Sequence, residues 1–178
     1  MNTIAKYALA SAFALTGIAT PSIAGSLPGG ASSLTETHGS WQLNCVDDAS
    51  ILTCAISQTQ IDPESRLQII SIEMRPNGES GLGGALVMPF GLALSKGVAI
   101  GIDDQSPNAT LGFSTCLPGG CIVPLGLDPS IITALATASV LTVTATASDT
   151  DTAIALAIDL SGFSDVVTRM NEILANDE

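Results

Sequence analysis

The sequence predicts a mostly β protein, a β-sandwich carrying two short helices, one of them C-terminal. Two observations lead there. Short apolar–polar alternating runs recur along the chain, each closed by a cluster of Gly, Pro, Asn or Asp. Only two stretches carry helix signals, and both lie in the last third.

The elements follow in order. Gly25 to about Thr37 is rich in Gly, Ser and Pro without periodicity, and reads as a loose N-terminal lead. Trp41 to Cys45 alternates, and Ile51 to Gln58 follows an acidic turn as its hairpin partner. Arg66 to Met74 is apolar and β-branched, and stops at Pro76-Asn77-Gly78. Gly84 to Met88 is a short strand. Gly97 to Ile102 places Val98, Ile100 and Ile102 on one face. Ala109 to Cys116 and Cys121 to Leu127 read as one hairpin. Asp128 caps a helix over Ser130 to Ala138, with Pro129 in its first turn. Leu141, Val143 and Ala145 alternate with Thr142, Thr144 and Thr146. After the Ser148–Asp151 turn, Ile154, Leu156, Ile158 and Leu160 share the next strand's face. Ser161 is placed to cap a terminal helix, in which Phe163, Val166, Val167, Met170 and Leu174 form the core-facing stripe. The two helices are expected to cover the sandwich edges.

Composition narrows the function. Of 178 residues, 17 are acidic and 5 basic, for a formal net charge of −12. Nucleic-acid binding needs a Lys/Arg surface and is excluded on that balance. A polybasic membrane-surface module is disfavoured for the same reason. The aromatic share of 3% leaves little with which to stack bases or sugars.

Residues 1–24 read as a cleaved secretory signal. Lys6 supplies the positive start, Tyr7 to Ala19 the apolar run, and Ser22-Ile23-Ala24 the small residues before the cut. That run is too short to span a bilayer as a helix. No later segment is long and apolar enough either, so no membrane span is expected after cleavage. The expected location is periplasmic or secreted. In such an oxidising compartment, Cys45, Cys54, Cys116 and Cys121 are expected to form disulfides. Cys45–Cys54 and Cys116–Cys121 each flank a turn and are the favoured pairs. A four-thiolate zinc site is the rival reading, but its usual tight Cys spacing is missing.

Catalytic patterns are weak throughout, so no catalytic, cofactor or metal residue is assigned. His38 is the sole histidine and has no nucleophile motif beside it. Gly112-Phe113-Ser114-Thr115-Cys116 lacks the last Gly of a nucleophile elbow. Asp47-Asp48, Asp103-Asp104 and the Asp149/Asp151 turn lack the ligand spacing of a calcium loop. Lys96 and Arg169 are scarce positive charges, read as surface ion pairs.

Three stretches carry a family resemblance. His38-Gly39-Ser40-Trp41-Gln42-Leu43-Asn44-Cys45 resembles the entry strand of the invasion-associated locus B (IalB-like) proteins of alphaproteobacteria, usually a Phe-Gly-Asp-Trp run leading to Cys. Met88-Pro89-Phe90-Gly91-Leu92 through Val98 resembles that family's Pro-Leu-Gly segment, and Thr115 to Cys121 its second cysteine hairpin. The closing Leu160-Ser161-Gly162-Phe163 agrees as well. Here His38 and Ser40 stand where Phe and Asp are usual. The resemblance implies an exported protein with one immunoglobulin-like β-sandwich domain over residues 38–178, and no established catalytic residues. It implies a non-enzymatic protein acting by protein interaction, with an unidentified envelope or host protein as partner. A periplasmic chaperone or envelope-complex subunit is the alternative, and a hydrolase working without His a distant third. Pro89, Phe90, Gly91 and Leu92 form the candidate interaction surface, the competing reading being a buried crossing between strands.

Overall fold

The computed structural model describes residues 27–48, 51–78, 80–103, 105 and 109–176. The expected signal segment, residues 1–24, lies outside them. So do Ala49, Ser50, Asp104 and residues 106–108, which belong to two of the expected turns.

The chain opens as a meander of five antiparallel strands: β1 (Ser33–His38), β2 (Trp41–Asp47), β3 (Leu52–Ile61), β4 (Gln68–Asn77) and β5 (Gly81–Met88). It then leaves this sheet for β6 (Val98–Ile102) and β7 (Ala109–Leu111), and returns for β8 (Thr115–Leu117) and β9 (Gly120–Leu127). Helix α1 (Pro129–Thr137) leads to the hairpin β10 (Val140–Thr146) and β11 (Ala153–Asp159), and α2 (Phe163–Ala175) closes the chain. The large sheet runs β1-β2-β3-β4-β5-β9-β8; the small one runs β11-β10-β6-β7. The mostly β class, with two layers and two helices, one C-terminal, is as the sequence predicts.

The core follows from strand alternation. Trp41, Leu43 and Cys45 on β2 are buried, as are Leu52, Cys54 and Ile56 on β3 and Ile70, Ile72 and Met74 on β4. Each set occupies one face of its strand, because side chains alternate with period two. Both disulfides form as the sequence reading favoured, Cys45–Cys54 and Cys116–Cys121. Each joins directly opposed residues of neighbouring strands.

Five expectations are corrected. Part of the expected loose lead, residues 33–37, lies in β1, whose six residues all pair with β2. Residues 109–116 do not form one strand. Ala109–Leu111 pairs with β6 in the small sheet, Thr115–Leu117 pairs with β9 in the large one, and Gly112–Ser114 crosses between them. Ser161 is not the cap of α2. Gly162 holds that position in a left-handed conformation, and the Ser161 hydroxyl donates to Asp159 instead. The α2 stripe also includes Ile173, which is buried, while Val167 and Leu174 are only half-buried. Finally, the helices cover a face rather than the edges. Helix α2 lies over β1, β2 and β3, and α1 contacts β5, β9 and α2.

The edges are handled by other means. On β11, the outward carbonyls of Ala157 and Asp159 accept from the side-chain amides of Gln60 and Gln58, and Asp159 also accepts from the Trp41 indole. Those donors close part of a strand edge that would otherwise invite pairing. On β9, Pro124 lies beyond the short β8, where no neighbour on that side needs an N–H. Asp128 caps α1 as expected, accepting from the backbone N–H groups of Ser130 and Ile131.

Candidate interaction surface

The strand registers bring four large apolar residues to one end of the large sheet. Ile61 pairs with Gln68 at the base of the β3–β4 hairpin, beside Leu67. Met88 pairs with Cys121, so Phe90 follows just past the end of β5. Leu117 pairs with Gly120 at the tip of the adjoining disulfide hairpin. All four side chains are more than half exposed. Single exposed apolar residues are ordinary, and the four at this end make it the candidate contact surface.

The sequence candidate Pro89–Leu92 divides at this end. Phe90 is 61% exposed and Gly91 is exposed, whereas Pro89 is half-buried and Leu92 is 8% exposed and part of the core. Leu92 bridges to Ala147, Ser148 donates its backbone N–H to the Gly91 carbonyl, and Ala93 donates to Thr146. The turn is therefore tied to the end of β10 on both sides of Leu92, and Phe90 is held between these ties and the end of β5 at Met88. A fixed aromatic loses little conformational freedom when it is covered by a partner. Leu92 is an anchor and no part of the surface. Sequence reasoning missed Ile61, Leu67 and Leu117. The available signal was an apolar residue at each edge of a polar turn, Asp62–Arg66 and Pro118–Gly119, where a strand end reads as buried by pattern alone.

Several polar side chains, among them His38, Asp103, Asp151, Lys96 and Arg169 weighed above, are employed in holding the fold. Ser40 and Ser161 both donate to Asp159 Oδ2, at 2.5 and 2.8 Å, and the Ser161 N–H donates to Oδ1. These bonds, led by that from Ser40, hold the Asp159 carboxyl below the usual range. A carboxylate so stabilised is a weak base. His38 contacts Glu36 at 3.2 Å. Arg169 on α2 grips the same carboxylate with Nε and Nη2, at 2.9 and 3.0 Å, and holds it below its ordinary value. Ser40 donates a proton that an aspartate in its place could not. Asp103 accepts from the N–H groups of Ser139 and Val140, and Asp151 pairs with Lys96. Among the described residues, no group of three His, Cys, Asp or Glu is placed to hold a metal ion.

The entry motif and the closing motif meet in space. Ser40 donates its N–H to the Ser161 carbonyl, and the Trp41 and Phe163 rings meet edge-on with centroids 5.1 Å apart. Two stretches some 120 residues apart thus form one junction, with its aromatic pair buried and its serines at the surface. The family model for invasion associated locus B (IalB) proteins matches residues 41–171, spanning from the first ring of that junction through the second. The chain belongs to the invasion-associated locus B family. Within it, an invasion protein B homolog of Brucella abortus is 36% identical over 168 residues, covering 93% of this chain and 96% of that protein. Invasion protein B of Bartonella bacilliformis is 32% identical over 155 residues, covering 86% and 82%. The crystal structure of invasion associated protein B from Bartonella henselae superimposes with a TM-score of 0.75 at 28% identity, covering 80% of this chain and 98% of that one. The IalB fold is thus shared across the family domain.

Proposed function

We propose that this IalB-family protein is an exported, non-enzymatic protein that acts by binding another protein at the cell envelope or a host surface. The observation that carries the reading is the apolar end of the large sheet, where Phe90 stands exposed on a turn fixed by hydrogen bonds. Aromatic residues, Phe among them, are enriched at protein–protein interfaces. Location outside the cytosol is supported by two disulfides, which persist in oxidising compartments. It is supported also by an N-terminal sequence of secretory type. Among the described residues, no helix is long and apolar enough to cross a membrane.

The test is partner capture in the native host with the unaltered protein and with Phe90→Asp. The reading expects the variant to melt as the parent does and to lose the captured partner. An unchanged set of captured proteins would remove Phe90 from the binding surface.

A further inference from the structure

A second feature lies at the opposite end of the large sheet, where β9 runs out toward α1. A cavity of about 120 Å³ opens there between the two sheets. Its floor is the buried side chains of Ile72, Leu135 and Leu141. Its wall is six half-buried aliphatic residues: Ile100, Ile102, Leu111, Leu125, Leu127 and Ile131. Protein interiors are close-packed, and voids larger than a water molecule are few. An apolar void of about 150 Å³ stays dry and accepts small apolar molecules. This one is of comparable size, open on one side, and among the described residues lined by neither an aromatic ring nor a polar side chain.

The surroundings define what could enter. Two polar clefts adjoin the cavity. One shares Ile102 and Ile131 with it and carries Asp103, Gln105, Ser130 and Thr137. The other shares Gly126 and Leu127 and carries Asn77, Ser80 and Asp128. Asp103 is fixed by two backbone N–H groups and Asp128 caps α1, so each flank presents a carboxylate. Among the described residues, no Lys or Arg lines any of the three spaces. The net charge of −12 adds a long-range field of the same sign.

We infer that this cavity holds the end of a single aliphatic chain, from an amphiphile whose head group is not anionic. The tail replaces contacts that the lining Ile and Leu side chains otherwise lack. The head lies in an acidic polar cleft that a carboxylate or phosphate would find repulsive. This site is separate from the apolar end carrying Phe90 and stands independently of it.

The test is methyl-detected NMR titration of the full protein with decyltrimethylammonium and with decanoate, each below its micelle concentration. The inference expects saturable shifts at the methyl groups of Ile100, Ile102, Leu111, Leu125, Leu127 and Ile131. It expects decanoate to bind at least about tenfold more weakly. Ala109 lines the cavity on the exposed β7, and Ala109→Phe should abolish the shifts. Shifts scattered over the surface, or absent, would overturn the inference whether or not the variant folds. Equal binding of decanoate would overturn the head-group assignment.

Discussion

Gly39 and Gly162 lie backbone against backbone. A methyl group on Gly39 would sit 2.3 Å from the Ser161 carbonyl oxygen, and one on Gly162 would sit 2.1 Å from that of His38. Both glycines also have positive φ, at 56° and 85°. The β1–β2 turn and the β11–α2 turn are thus closer than any side chain allows, and the Ser40–Asp159–Ser161 bonds stitch them together. This junction ties the start of the domain to its end.

Gly39→Ala and Gly162→Ala should each cost on the order of 2–4 kcal/mol, by combining backbone strain with a clash that must be relieved. Urea unfolding of the two variants and of the double variant checks this. The two sites touch, so the double variant should cost less than the sum of the singles. Costs under about 0.5 kcal/mol, the range of ordinary surface changes, would mean that the junction is looser than described.

Acid should weaken the same junction. Asp159 is held low chiefly by Ser40, and Glu36 chiefly by Arg169. A carboxyl with a depressed folded pKa contributes stability that is complete above the unfolded value, near pH 4, and is lost as pH falls through the folded one. The melting temperature should therefore change little between about pH 5 and 8 on their account and fall below about pH 4. Asp159→Asn should make that acid fall shallower. An identical acid profile in Asp159→Asn would show that Asp159 contributes nothing to it.

Ser40→Asp provides a separate check on the junction's chemistry. The variant would face Asp159 with a second carboxylate and no proton to donate. It should be less stable than Ser40→Ala at neutral pH, and the difference should narrow as pH falls below about 4. Thermal melts at two pH values measure this. Equal stability at both would show that the two side chains do not meet.

The two disulfides should differ in access. Cys45 and Cys54 are both buried, between two strands inside the large sheet. Cys116 is exposed on the three-residue edge strand β8. Under mild reductant without denaturant, alkylation should label Cys116 and Cys121 first, because exchange requires a thiolate to reach a sulfur. Peptide mass spectrometry reads the order. Labelling of Cys45 first would contradict the burial described.

Much of this was legible in the sequence, and the limits have physical causes. The Asp128-Pro129 start of α1 and the Leu141–Ala145 alternation of β10 are local signals, and both appear as read. The cysteine pairs were legible because each flanks its own turn. The strand at 33–38 was hidden because its pattern is polar on one face and only half-buried on the other. The split at Gly112–Ser114 was hidden because leaving one sheet for another is set by tertiary pairing, which no local pattern reports. Of the candidate surface, Phe90 is exposed, but Leu92, two residues on, points into the core. Only the bridge to Ala147 distinguishes the two.

The central claim is that the apolar end of the large sheet binds a protein partner. The most direct measurement places a photo-crosslinking amino acid at position 90 and, as control, at position 46. Val46 is equally exposed in kind but lies at the opposite end of the sheet. Illumination in the native host, followed by mass spectrometry, identifies what is attached. The account predicts one dominant protein adduct from position 90, lost on Leu117→Asp and absent from position 46. No adduct from position 90, or the same adducts from both positions, would contradict it.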